Sequence, residues 1–224
     1  MAERGNRPDP PLEPYRTLAR EAQAEIVEKK SRFIGWGAHV TTEDEARAFL
    51  DRVRREHREA SHVCHAFRVE RDSRNQPAVQ RMSDAGEPSG TAGSPILAAI
   101  TARGIVDCCV AVVRYFGGTL LGAGGLTRAY GKACVAALDA CGSAIMEPTA
   151  FIKMVVPYSL WDTLRYAVSS QPCAWMDVAY TDEITATLKT RTCDEELVLR
   201  RVRETTNARV RIIDTARAYE MWPE

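Results

Sequence analysis

The chain has 224 residues, 45% of them hydrophobic and 27% charged, and its 30 Lys and Arg balance its 30 Asp and Glu. That length suits one large or two small domains with real cores. A net charge near zero gives no bulk argument for nucleic acid, so any such contact must be a local patch. No apolar run approaches the roughly eighteen residues of a membrane span, and no apolar leader opens the chain, so neither a membrane partner nor a secretory signal is expected. The seven cysteines are odd in number and lack framework spacing, which points to a reducing, cytoplasmic location.

In chain order, residues 1–14 are Pro- and charge-rich without period and are expected to be disordered or to pack late. Residues 30–40 read as a strand. Thr42 with Glu45 three residues on forms a capping box. It opens a helix to about His57 that buries Ala46, Phe49, Leu50 and Val53. The opposite, Arg/Glu-rich face reads as solvated rather than as a nucleic-acid patch. A strand follows from His62 to Val69, with Val63, His65, Phe67 and Val69 on one side and His62, Cys64 and Arg68 on the other. His62 and Cys64 on one face would begin a metal site. Zinc wants two more ligands and no second Cys/His cluster is visible, so no metal is expected.

Residues 71–81 read as a turn or exposed loop. Residues 83–96 are nearly free of apolar side chains and rich in Gly and Pro. They form a loop, mobile or functional, that carries Asp84, Gly86, Glu87, Pro88, Ser89, Gly90 and Thr91. The loop leads into a helix from Ile96 to Arg103, with Thr91 or Ser94 as N-cap, Pro95 in the first turn and Gly104 after its end. Asp84 and Glu87 are candidates for an acid/base pair. Ser89 lacks the Gly-x-Ser-x-Gly spacing of a nucleophile elbow, and no residue is assigned a catalytic role.

Residues 112–130 are the most informative stretch. An apolar strand from Val106 to Val113 exits at Arg114 and Tyr115. Then come Gly117, Gly118, Gly122, Gly124 and Gly125, and a helix from Leu126 to Leu138. A helix start leaves backbone N–H groups free beside a partial positive charge. Arg128 and Lys132, four apart, share a helix face. This geometry suits a phosphate or carboxylate. The alternative is a tight turn whose glycines only permit close packing. The spacing is neither a P-loop nor a dinucleotide fingerprint. Cys108, Cys109, Cys134 and Cys141 lie in apolar segments and read as small core residues.

After a junction at Glu147-Pro148 the pattern changes. A strand at 151–156 precedes a helix from Ser159 to about Ser170. Strands follow at 173–180 and 183–190. A second capping box, Thr192 with Glu195, opens a helix to about Thr206, and the last strand spans 208–213. The order β-α-β-β-α-β is that of a ferredoxin-like domain. The expected domains are therefore 15–148 and 149–216, with a tail at 217–224, in an α+β chain.

Three separated motifs, Ser31-Arg-Phe-Ile34, Ser83 to Gly93, and Arg114-Tyr-Phe-Gly-Gly118 continuing to Tyr130, resemble the YigZ/IMPACT family in the same order. Ala85 stands where a second Asp is expected. The resemblance implies an N-terminal α/β domain of the ribosomal-protein-S5-domain-2-like type. It also implies a C-terminal ferredoxin-like domain similar to domain V of the ribosomal translocase elongation factor G. The eukaryotic relatives regulate translation in amino-acid starvation by competing for a ribosome-associated kinase activator.

Three functions stay open. The first is a translation-linked protein binding RNA, the ribosome or a ribosome-associated factor through an anion-binding glycine loop, with no cofactor and no DNA sequence specificity. The second is an enzyme acting on a small phosphorylated or carboxylated ligand in the same cleft. The third is a protein-interaction module without an anion site. Sequence leaves the oligomeric state open.

Overall fold

A computed structural model describes residues 13–69 and 78–222. The N-terminal extension and most of the expected turn at 71–81 lie outside the described residues. The chain divides into two compact units, with the division between Ile145 and Met146.

The first unit contains β1 (Tyr15–Leu18), β2 (Ala22–Glu28), β3 (Ser31–His39), α1 (Glu43–Glu56), β4 (His62–Val69), β5 (Val79–Ser83), α2 (Gly93–Ala102), β6 (Cys108–Tyr115) and α3 (Ala123–Cys141). Five of its strands form one sheet in the order β2-β3-β6-β4-β5, antiparallel at every pairing. The central strand β6 is buried along nearly its whole length. A strand covered on both faces needs a continuous apolar run rather than alternation, and Cys108 to Val113 supplies it.

One face packs on α2 and α3, where Phe33, Cys64, Ala66, Val110 and Val112 meet Ile96, Ile100, Ala129, Tyr130 and Ala133. The other packs on α1, where Trp36, Phe67, Val69, Cys109 and Ala111 meet Ala46, Phe49, Leu50 and Val53. The four α1 residues are those that helical periodicity places on the buried face. Each large one stabilises the fold by about 1.5–3 kcal/mol through lost water contact. Cys108, Cys109, Cys134 and Cys141 are buried free thiols in these cores. His65 stacks on Phe67, and burial pushes its imidazole pKa down to about 4.

The second unit continues through β7 (Ser143–Val156), α4 (Tyr158–Val168), β8 (Cys173–Tyr180), β9 (Ile184–Arg191), α5 (Glu195–Thr206) and β10 (Arg211–Met221). Its strands β10, β7, β9 and β8 pair in that order within a five-stranded sheet, antiparallel at each of these pairings, and α4 and α5 share one core with them. This is the β-α-β-β-α-β arrangement read from the sequence. Two boundaries differ. β7 runs through Glu147 and Pro148, where the sequence suggests a junction, because β10 pairs with it from Met146 to Val155. The same pairing carries β10 on to Met221, so the expected tail is largely strand. Residues at that edge alternate weakly, which hides the strand from periodicity.

The two capping boxes part company. Thr42 caps α1, its Oγ1 accepting from Glu45 N at 3.1 Å, and the Glu45 carboxylate accepts from Thr41 N at 2.7 Å. At α5 the residue before the helix is Asp194, with no side-chain cap bond. The Thr192 hydroxyl is buried without a hydrogen-bond partner, while its N–H donates to Pro148 O. Strand geometry has claimed Thr192, so the second box does not form. Thr42→Ala is expected to lower stability by about 1 kcal/mol. Thr192→Val is expected to be neutral or stabilising, since it removes an unsatisfied hydroxyl at constant shape; urea melts of both variants check the contrast.

Candidate functional site

Four segments of the first unit converge on one carboxylate. Glu87 is 9% exposed although its loop is almost wholly polar. Its Oε1 accepts from Arg114 Nη1 at 2.6 Å and from the Tyr130 hydroxyl at 2.7 Å. His62 Nε2 stands 3.8 Å from the same oxygen, and His62 Nδ1 lies 3.0 Å from Ala85 O. Arg114 is 5% exposed, and its guanidinium carbon lies 5.4 Å from the ring centroids of both Phe33 and Phe116. Ser31 Oγ accepts from Arg114 Nη2 at 3.4 Å and from Gly117 N at 3.2 Å. One buried network thus joins β3, β4, the loop after β5, the end of β6 and α3.

Asp84 anchors the loop at its other end. Its carboxylate accepts from the N–H groups of Gly90, Ala92 and Gly93 at 2.8–2.9 Å. Burial alone would raise the Asp84 pKa, but the three N–H bonds to the charged form outweigh it and hold the group below the usual carboxylate range. Asp84 therefore does the work expected of Thr91 or Ser94 as cap of α2. Ala92 precedes the helix with no side-chain cap, and the Thr91 hydroxyl donates to Pro88 O at 2.7 Å. A cap supplied from several residues upstream has no local signature, whereas Gly104 after the helix end has the expected positive φ.

The loop expected to be mobile or functional is tied down at Asp84 and Glu87, while Gly86, Pro88, Ser89 and Gly90 stay exposed. Ala85 holds φ +46°, a conformation that costs a β-carbon residue roughly 1 kcal/mol. Cys64 Sγ donates to Asp84 O at 2.9 Å, and burial pushes the thiol up to about 12, far from nucleophilic character at neutral pH. Burial first, then its neighbours, also raises Tyr130, which keeps its proton for Glu87. His62 and Cys64, the residues of a would-be metal face, both contact the loop. Among the described residues no group of three or more His, Cys, Asp or Glu is arranged so that it could hold a metal ion.

The remaining predicted site residues lie along the glycine stretch. α3 starts at Ala123, so Gly124 and Gly125 sit in its first turn rather than before it. Gly122 precedes the helix with φ +73°. The first intrahelical bond runs from Leu126 N to Gly122 O, leaving the N–H groups of Ala123, Gly124 and Gly125 ahead of it. Gly117 packs so closely on the backbone of Lys30 and Ser31 that a Cβ would overlap it. Gly118 is exposed, as are Arg128 and Lys132. Lys132 lies 3.8 Å from Glu28. Tyr115 is half-buried, with its hydroxyl 2.9 Å from His57 Nδ1 and Arg32 over its ring. Arg114 and Tyr115 thus face into networks, while the α3 start, Arg128 and Lys132 face solvent.

This network coincides with the region that known proteins share. The model of the Impact N-terminal domain matches residues 29–138. A Thermus thermophilus IMPACT family member is 41% identical over 132 residues, covering 58% of this chain and 67% of that protein. The chain belongs to the IMPACT family. The Bacillus subtilis member YvyE is 43% identical over 131 residues, so the match spans 58% of this chain and 58% of YvyE, a little over half of each. A crystal structure described only as that of a hypothetical protein is 27% identical, covers 90% of this chain and 97% of its own, and superposes with a TM-score of 0.59. The two-domain translational regulator Yih1 is 29% identical over 62% of this chain and 53% of its own, at a TM-score of 0.35, below the level of a shared overall fold. Among the described residues no helix is long and apolar enough to cross a membrane.

His62, Tyr130 and Ser31 complete the site without having been singled out as site residues. Nothing in a polar, glycine-rich loop marks Glu87 for burial. The paired signal was a lone Arg at the end of an otherwise apolar strand, since a buried Arg needs an acid. Removing one partner of a buried pair leaves the other charge uncompensated. Glu87→Leu and Arg114→Met are each expected to cost about 3–5 kcal/mol in denaturant melts, and the double variant is expected to recover much of that loss. For Asp84→Asn, the deficit against wild type is expected at neutral pH and should shrink as pH falls. A carboxylate with a lowered folded pKa contributes above its unfolded value near about pH 4 and loses that contribution as pH drops through the folded value.

Proposed function

We propose that this protein is a translation-linked binding protein that holds phosphate groups of RNA, the ribosome or a ribosome-associated factor at the start of α3. The observation that carries this reading is the exposed first turn of that helix. The N–H groups of Ala123, Gly124 and Gly125 precede the first intrahelical bond, and exposed Arg128 and Lys132 stand one and two turns along. Backbone donors at a helix N-terminus with cations beside them recognise phosphate without needing a particular base. Membership of the IMPACT family, whose eukaryotic members the sequence resemblance ties to translational control, supports the link to translation.

Arg114 has a different part in this reading from the one its position suggests. Its charge is met by Glu87 at 2.6 Å, so it fixes the loop rather than meeting the anion. Asp84 and Glu87, the acid/base candidates, are likewise engaged in holding structure. The phosphate-facing set is therefore Gly122, Gly124, Gly125, Arg128 and Lys132, with Gly117 and Gly118 shaping the approach.

Co-sedimentation with ribosomes and total RNA over a salt series tests this. Wild type is expected to bind less tightly as salt rises. Arg128→Ala/Lys132→Ala is expected to bind more weakly, with a log–log salt slope shallower by about 1.4, or about 0.7 per lost single-strand phosphate contact. Binding that ignores salt, or a double variant with the wild-type slope, would remove the phosphate reading.

A further inference from the structure

The loop between β6 and α3 carries an aromatic ring that no part of the core requires. Phe116 is 48% exposed. The Arg114 guanidinium carbon lies 5.4 Å from its ring centroid and equally far from that of Phe33. The guanidinium is held by Glu87 and Ser31, and the Phe116 N–H donates to Ser61 Oγ at 3.2 Å. The ring is thus set on a fixed buried support, with its outer part left to solvent. Leu120, four residues on, is 83% exposed.

Two lysines lie in the turn that this loop packs against. Gly117, next to Phe116, packs on the backbone of Lys30, and Lys29 and Lys30 are both exposed in the turn between β2 and β3. Among the described residues, no ion pair engages Lys29, Lys30 or Arg128, while Lys132 faces Glu28 at 3.8 Å. A half-exposed ring, on a loop that packs on the Lys30 backbone and leads into a helix start near Arg128, offers an apolar face on the same segment as phosphate donors. That pairing fits an unstacked nucleotide. A base lying on an aromatic side chain is a sequence-tolerant contact, and it requires a strand whose bases are not already stacked in a duplex.

We propose that Phe116 is a base-stacking platform and that the nucleic acid this unit takes is single-stranded RNA rather than duplex. The inference rests on the phosphate contact proposed above and adds the side chain that contacts a base. In it the base lies on the exposed part of Phe116, and the backbone phosphates follow toward Lys30, Arg128 and the α3 start.

The test is fluorescence anisotropy with a labelled single-stranded oligouridine. A duplex RNA and inorganic tripolyphosphate serve as competitors, and wild type is run beside Phe116→Ala, Phe116→Leu and Phe116→Tyr. Thermal melts of each variant establish that the half-exposed substitution leaves the fold intact. The expected result is about tenfold weaker oligouridine binding for the Ala and Leu variants, near wild-type binding for Tyr, an unchanged salt slope, and duplex competing poorly. Tripolyphosphate should compete equally against all four proteins, because it has no base to stack. Wild-type affinity in Phe116→Ala, Leu performing as well as Tyr, or duplex binding as tightly as oligouridine would each overturn the stacking role while leaving the phosphate contact standing. If wild type binds neither RNA nor tripolyphosphate at low salt, the phosphate contact itself fails and this inference fails with it.

Discussion

The ion pair between Glu87 and Arg114 is the constraint on which the first unit's candidate site depends. It sits almost wholly out of water, where an unpartnered charge would cost several kcal/mol. Desolvation of both groups is offset by a short contact, by the Tyr130 hydroxyl on the same carboxylate oxygen, and by two aromatic rings around the guanidinium. Because the partners are separated by 27 residues, the pair sets the position of the loop after β5 against the exit of the central strand.

That arrangement separates positioning from recognition. The residues most suggestive of chemistry in the sequence, Asp84, Glu87 and Arg114, are consumed in building the loop. Asp84 satisfies three backbone donors at the head of α2, and Glu87 neutralises Arg114. The groups left facing solvent are weaker signals in one dimension: a helix start, two cations four residues apart, a lysine pair in a turn and a single phenylalanine. In the proposed function these groups meet a phosphate-bearing strand, and the buried network is what supports the segments that carry them.

The second unit shows how tertiary pairing overrides local pattern. Thr192 and Glu195 have the spacing of a capping box and do not form one, because the Thr192 N–H is taken by Pro148 O across the sheet. Thr42 and Glu45 have the same spacing, and there Thr42 does cap its helix, with the Glu45 carboxylate reaching back to the N–H of Thr41, one residue before the cap. β10 is longer than its periodicity indicates for a related reason. Its backbone is held by β7 through a long register, and most of its side chains remain exposed, so selection for alternating hydrophobicity is absent there.

Sequence alone determined the α+β class, the family motifs, the α1 face formed by Ala46, Phe49, Leu50 and Val53, the buried run of β6 and the strand–helix order of the second unit. These follow from short-range physics: periodicity reports which face meets a core, and an uninterrupted apolar strand reports cover on both sides. Tertiary structure alone decided that Glu87 is buried, that Arg114 is already paired, that Asp84 rather than Thr91 or Ser94 caps α2, and that Phe116 is left on the surface above a fixed guanidinium. Each of these is a contact between residues far apart in the chain, where the identity of a polar side chain says that it needs a partner but not which partner it will meet.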